Sequence, residues 1–121
     1  MSKDRKKIII ADDSRELCVL LKMRLEEEGY EVDYVHDGFA LLDYLRRVQD
    51  VDAVILDLVM PQRGGIGIFD TVRSISPASK LIIYTGHSDY RHTVFARKAD
   101  AFLDKTESAE KIIETLQTLI G

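Results

Sequence analysis

Five polar side chains each close a run of apolar residues. Asp12 and Asp13 follow Ile8-Ile9-Ile10-Ala11, Asp57 follows Val54-Ile55-Leu56, Thr85 follows Leu81-Ile82-Ile83-Tyr84, and Lys105 follows Ala101-Phe102-Leu103-Asp104. If those runs are neighbouring strands, three carboxylates and one ammonium share a rim. Carboxylates that close together cannot all stay ionised without compensation. A divalent cation supplies it, because Asp12, Asp13 and Asp57 bring three negative charges and one Mg²⁺ with Lys105 brings three positive ones. Oxygen donors with no His or Cys among them favour Mg²⁺ or Mn²⁺ over zinc. Such a site suits phosphoryl transfer: metal and ammonium neutralise phosphoryl oxygens, a hydroxyl donates to another, and an aspartate serves as nucleophile.

Each residue also has a plain structural alternative. Asp57 before Pro61 fits a turn, Asp12-Asp13 fits the start of a helix, Thr85 fits a strand, and Lys105 fits a surface. Only their joint placement points to chemistry, and that placement depends on the fold.

Strand signals alternate with helix signals five times along the chain. The first strand, Ile8-Ile9-Ile10, leads through Ser14 as N-cap into a helix with Leu17, Leu20, Leu21 and Leu25 on one stripe, ended by Gly29. Glu31–Val35 is a second strand, and Asp37 caps a helix with Leu41, Tyr44, Leu45 and Val48 as its apolar positions. Val51–Leu56 is apolar on both faces of a strand, as a sheet covered by helices on both sides requires. Pro61-Gln62-Arg63-Gly64-Gly65 then forms a glycine-rich loop into a helix around 66–74, broken by Ser76-Pro77. Lys80–Tyr84 is the fourth strand. Ser88 or Asp89 starts a weakly patterned fourth helix through Lys98, and Ala101–Leu103 is a short fifth strand. The last helix, about 107–120, carries Ile112, Ile113, Leu116, Leu119 and Ile120 on its apolar side. The expectation is a single-domain α/β fold over residues 1–121, a (βα)5 doubly wound parallel sheet of flavodoxin-like order 2-1-3-4-5. In that order the strands ending in Asp12-Asp13, Asp57, Thr85 and Lys105 are consecutive neighbours.

Composition narrows the class. With 45% hydrophobic and 31% charged residues the 121-residue chain reads as one soluble domain. A net charge of −4 argues against nucleic-acid binding through bulk charge. No apolar stretch reaches membrane-spanning length, and the basic start Ser2-Lys3-Asp4-Arg5-Lys6-Lys7 lacks a signal-peptide core, so a cytoplasmic location is expected. Cys18 is the one cysteine and, among Leu17, Val19, Leu20 and Leu21, reads as a buried small hydrophobe.

Over essentially its whole length the chain resembles the receiver domain of two-component response regulators. Ala11-Asp12-Asp13-Ser14, Leu56-Asp57-Leu58-Val59-Met60-Pro61, Gly65, Thr85-Gly86 and Phe102-Leu103-Asp104-Lys105 fall in that family's order and approximate spacing. The resemblance implies that Asp57 is the phosphoacceptor, served by a histidine kinase or a phosphotransfer protein. It implies Mg²⁺ held by Asp13, Asp57 and the backbone carbonyl of Val59, with Asp12 acting through water. Lys105 would contact the phosphoryl group, or Asp57 before phosphorylation. Thr85 would turn toward that group on activation, with Phe102 changing rotamer alongside. The domain would be a switch for a downstream output protein or domain rather than an enzyme, and the fourth and fifth helices could carry a homodimer.

Three departures from the family pattern stand out. Thr106 replaces the usual proline after the lysine, which leaves either a trans bond with a rearranged loop or a strained cis one. Gly64 stands where Asp or Asn is common, which is expected to leave the loop less tied down. The segment from Thr85 to Lys105 is short, so the fourth helix is expected to be short or displaced. His87 and Val59, each two residues beyond a site residue, flank the pocket. Two other functions compete: a pseudo-receiver that only binds proteins, which should have lost Asp57 or the acidic pair, and a haloacid-dehalogenase-like phosphotransferase. The latter needs a second acid two residues after its nucleophile, where this chain has Val59.

Overall fold

A computed structural model describes residues 5–60 and 64–121. The elements run β1 (Lys7–Ala11), α1 (Arg15–Glu27), β2 (Glu31–Val35), α2 (Gly38–Arg47), β3 (Ala53–Leu56), α3 (Gly65–Ile75), β4 (Lys80–Thr85), a 3₁₀ turn (Ser88–His92), α4 (Val94–Lys98), β5 (Ala101–Asp104) and α5 (Ala109–Leu119). All strand pairs are parallel, and the sheet order is β2-β1-β3-β4-β5. This is the five-stranded flavodoxin-like fold expected from the alternation of signals. Pro61, Gln62 and Arg63 of the glycine-rich loop lie outside the described residues, as do residues 1–4 of the basic start.

Strand β3 shows why the sheet sits in the middle. Alternate residues of a strand face opposite sides, and here both sides are dry. Val54 and Leu56 join Ile9, Leu41, Ile68 and Phe69 in the core beneath α2 and α3. Ala53 and Ile55 join Ile8, Cys18, Leu25 and Ile112 in a second core beneath α1 and α5.

Helix ends follow local chemistry. Ser14 Oγ accepts the Leu17 N–H, and Asp37 Oδ1 accepts the Ala40 N–H, so each cap satisfies an otherwise orphaned donor. Gly29, at φ +95°, takes the left-handed position just past α1 that a side chain would resist.

Some expectations need correcting. Leu21 and Leu25 of the expected α1 stripe are buried and Leu17 packs against the core, but Leu20 is 57% exposed and Cys18 takes its place. On α2, Leu42 is buried beside the expected Leu41, Tyr44 and Leu45, and Val48 packs against the core from the C-cap position. The fourth helix does not start at Ser88 or Asp89; a 3₁₀ turn occupies that place and α4 is only five residues long. The last helix starts at Ala109, with Ser108 in the extended N-cap conformation after a turn in which the Glu107 N–H donates to the Asp104 carbonyl.

Candidate functional site

The strand register brings the polar residues together. Asp57 N–H donates to the Ala11 carbonyl (3.0 Å), Asp12 N–H to the Val35 carbonyl (3.1 Å) and Lys105 N–H to the Thr85 carbonyl (3.0 Å). Each of these bonds prolongs a ladder one step beyond the strand, which holds the side chains at one rim.

Asp57 is 4% exposed and held at both oxygens. Its Oδ1 accepts the Thr85 hydroxyl at 2.9 Å and the Val59 N–H at 3.1 Å, and its Oδ2 accepts Lys105 Nζ at 2.8 Å. The same ammonium lies 2.7 Å from Asp12 Oδ2, while Asp12 Oδ1 takes the Ser14 N–H. Lys105 therefore bridges two buried carboxylates. Thr85, fully buried, also accepts the His87 N–H on its hydroxyl oxygen, which leaves its own proton directed at Asp57. The Thr85 hydroxyl, expected to turn toward a phosphoryl group on activation, here donates to the carboxylate that would carry it.

The electrostatics follow from burial and pairing. Burial pushes the Asp12 carboxyl above the usual carboxylate range, against the pull of Lys105 and the Ser14 N–H. Burial pulls the Lys105 ammonium down, but its hydrogen bonds and attraction to Asp12 and Asp57 more than reverse this, so its pKa is raised. Asp13 is exposed and completes a set in which Asp12, Asp13 and Asp57 each offer a carboxylate oxygen within 4.8 Å of the others. One ammonium against three carboxylates leaves negative charge in excess. An all-oxygen donor set with that excess fits a hard divalent cation such as Mg²⁺.

Two glycines let the loop after β3 fold back on itself. A Cβ on Gly65 would lie 2.5 Å from the Asp57 carbonyl oxygen, and one on Gly64 would lie 2.8 Å from both the Leu58 carbonyl oxygen and the Met60 nitrogen. Gly65 N–H donates to the Asp57 carbonyl and Ile66 N–H to the Leu58 carbonyl. Gly64 thus permits a close backbone approach that Asp or Asn could not make; the expectation of a looser loop falls in part on residues 61–63, which lie outside the described residues. The bond before Thr106 is trans, and the Asp104 carboxylate accepts the Thr106 N–H at 2.8 Å.

Phe102 is half-buried and packs against the core beneath α2 and α3. Two contacts around the site escape sequence reasoning. The His36 ring nitrogen Nδ1 lies 3.0 Å from the Asp12 carbonyl, and the Arg91 guanidinium lies 4.9 Å from the centre of the Phe102 ring. Neither is marked by a spacing rule, because both partners are distant in the chain.

The family model described as "Response regulator receiver domain" matches residues 8–117. This chain belongs to the response regulator receiver family. The transcriptional regulatory protein CpxR of Escherichia coli K12 is 31% identical over 116 residues, covering 94% of this chain and 49% of CpxR. The chain thus spans about half the length of that relative. The response regulator TrrA of Thermotoga maritima, solved with Mg²⁺-BeF, superposes with a TM-score of 0.88 at 31% identity, over 95% of this chain and 99% of TrrA. A structure of histidine kinase ThkA with TrrA gives a TM-score of 0.86 at 31% identity, over 96% and 99% of the two chains. This receiver domain therefore belongs to a family of signalling domains of two-component systems. Among its described residues no helix is long and apolar enough to cross a membrane.

Proposed function

We propose that this receiver, spanning residues 1–121, takes a phosphoryl group on Asp57 from a histidine kinase or a phosphotransfer protein, and so switches an output partner or domain. The observation that carries this reading is the pinning of a 4%-exposed carboxylate by Lys105, Thr85 and the Val59 N–H beside two further aspartates. In the transfer, an Asp57 oxygen attacks phosphorus while the bond to the donor's leaving group breaks with its electron pair. The attacking carboxylate loses negative charge as its oxygen bonds phosphorus, so Lys105 and the Thr85 hydroxyl can pass from Asp57 to the incoming phosphoryl oxygens. Asp13, Asp57 and the Val59 carbonyl would hold Mg²⁺, with Asp12 reached through water. The bound ion would supply charge neutralisation at the phosphoryl oxygens.

The partner reading rests on relatives and on surface chemistry. The TrrA–ThkA complex supports a histidine kinase as donor. Helix α1 starts beside Asp12 and Asp13 and exposes Val19, Leu20 and Met23, an apolar stripe that suits a protein donor. CpxR, a transcriptional regulator about twice as long, supports an output domain or partner. The chain then acts as a phospho-accepting signalling domain rather than an enzyme with turnover.

Intact mass after incubation with acetyl phosphate and Mg²⁺, beside Asp57→Asn, tests the reading. One added phosphoryl group is expected, absent from the variant and abolished by chelation. No added mass, together with no binding of beryllofluoride and Mg²⁺, refutes it in favour of a pseudo-receiver.

A further inference from the structure

The 3₁₀ turn Ser88–His92 begins three residues after Thr85, the hydroxyl that touches Asp57. It ends in a contact on the other side of the site. Arg91 reaches across to β5, with its guanidinium carbon 4.9 Å from the Phe102 ring centre, its NH1 3.5 Å from the Phe102 carbonyl and its NH2 3.7 Å from Glu107 Oε1. That same Glu107 oxygen accepts the Asp104 N–H at 3.2 Å. The turn so fixed, 104–107, carries Lys105.

The contacts form a closed ring. Asp57 bonds Thr85; the chain from Thr85 leads to Arg91; Arg91 grips Phe102 and Glu107; the turn between them presents Lys105, which returns to Asp57 at 2.8 Å. Within this ring Arg91 is the link made by a side chain at the surface, 43% exposed. Its three interactions are a cation over an aromatic face, a weak bond to a carbonyl and an ion pair, all open to competition by water or a partner.

We propose that Arg91 is a positioning residue: it couples the segment after β4 to the turn that presents Lys105, so that the grip of Lys105 on Asp57 depends on the conformation of residues 88–92. The inference rests on Asp57 being the phosphoacceptor. A ligand or protein that engages the 3₁₀ turn competes for the guanidinium, loosens the 104–107 turn and weakens anion capture at Asp57. The same coupling runs backwards: when Lys105 shifts from Asp57 to a phosphoryl group, Glu107 and Phe102 feel the displacement and Arg91 transmits it to the surface.

The test is a double-mutant cycle read by ¹⁹F NMR titration of the Mg²⁺-loaded protein with beryllofluoride. The variants are Arg91→Ala, Arg91→Lys, Lys105→Ala and Arg91→Ala/Lys105→Ala. Loss of a cation–aromatic contact and an exposed ion pair sets the expected size, about three- to tenfold weaker binding for Arg91→Ala. Arg91→Lys, which keeps the charge over Phe102, should recover at least half of that loss on a logarithmic scale. In the Lys105→Ala background the effect of Arg91→Ala should vanish, because its action passes through that ammonium. In metal-free protein, amide exchange at Thr106 and Glu107 should quicken in Arg91→Ala. An equal fold-loss in both Lys105 backgrounds, or no loss in Arg91→Ala, overturns the proposal. Failure of the parent protein to bind beryllofluoride would instead strike at the phosphoacceptor reading itself.

Discussion

Replacing Asp13 by Asn should change stability in opposite directions with and without Mg²⁺. Asp13 is the exposed member of the carboxylate set, and its oxygen lies within 4.8 Å of those of Asp12 and Asp57. Two unit charges at that distance repel by about 0.9 kcal/mol in water and about 3.5 kcal/mol at an effective dielectric near 20. Exposure places Asp13 toward the lower figure, and the attraction it shares with Lys105 offsets part of the sum over two neighbours. The net gain on removing the charge is about 1 kcal/mol, or roughly 3–6 °C in Tm for a chain of this size. With Mg²⁺ at a hundredfold excess over its dissociation constant, the parent gains about 2.7 kcal/mol by mass action. Asp13→Asn gives up a charged ligand and most of that gain. Urea unfolding in chelator and in Mg²⁺ should therefore show the variant more stable in the first condition and less stable in the second. A variant no more stable than the parent in chelator, or an undiminished Mg²⁺ response, refutes the assignment of Asp13 as an exposed excess charge at a metal site.

Two further outcomes follow from burial and close approach. The Cys18 thiol has no exposed surface and is pushed up to about 11, chiefly by burial. It should resist thiol reagents at pH 8 until denaturant is added, and stoichiometric labelling of the native protein within minutes would contradict this. Since the unfolded thiol ionises near 9.0 and the native one near 11, the unfolded state holds fewer protons over that interval. Stability should fall from pH 9 to 11, and Cys18→Ala should lack that part of the fall in urea midpoints. Gly65→Ala should cost about 1–3 kcal/mol, because its Cβ would meet the Asp57 carbonyl oxygen at 2.5 Å. Gly86→Ala, with nothing within 4 Å, should be close to neutral in the same assay.

What the sequence revealed, and what it hid, divides along physical lines. Alternating strand and helix signals sufficed for the sheet order, because short parallel connections leave few topologies. Once that order holds, Asp12, Asp57, Thr85 and Lys105 must meet, since all stand at carboxyl ends of neighbouring strands. Leu20 misled because it fits a helical stripe as well as Cys18 does, and only the orientation of α1 on the sheet decides between them. Gly64 hid something of another kind, a close backbone approach to Leu58 and Met60 that no local pattern reports. Arg91 on Phe102 and His36 on Asp12 join residues far apart in the chain, where spacing carries no information.

The sheet also separates the molecule's possibilities of change. Ala53 and Ile55 belong to one core and Val54 and Leu56 to the other, so the two share a backbone but no side chains. A methyl group lost beneath α1 opens space that side chains of α1, α5 and one sheet face can refill, while α2 and α3 stay where they were. Substitutions can accumulate in the α1–α5 layer without forcing compensations in the opposite one. A lineage can thus remodel the surface near one set of helices, trading one acquaintance for another, while the other surface keeps its inherited shape and Asp57 keeps its place between them.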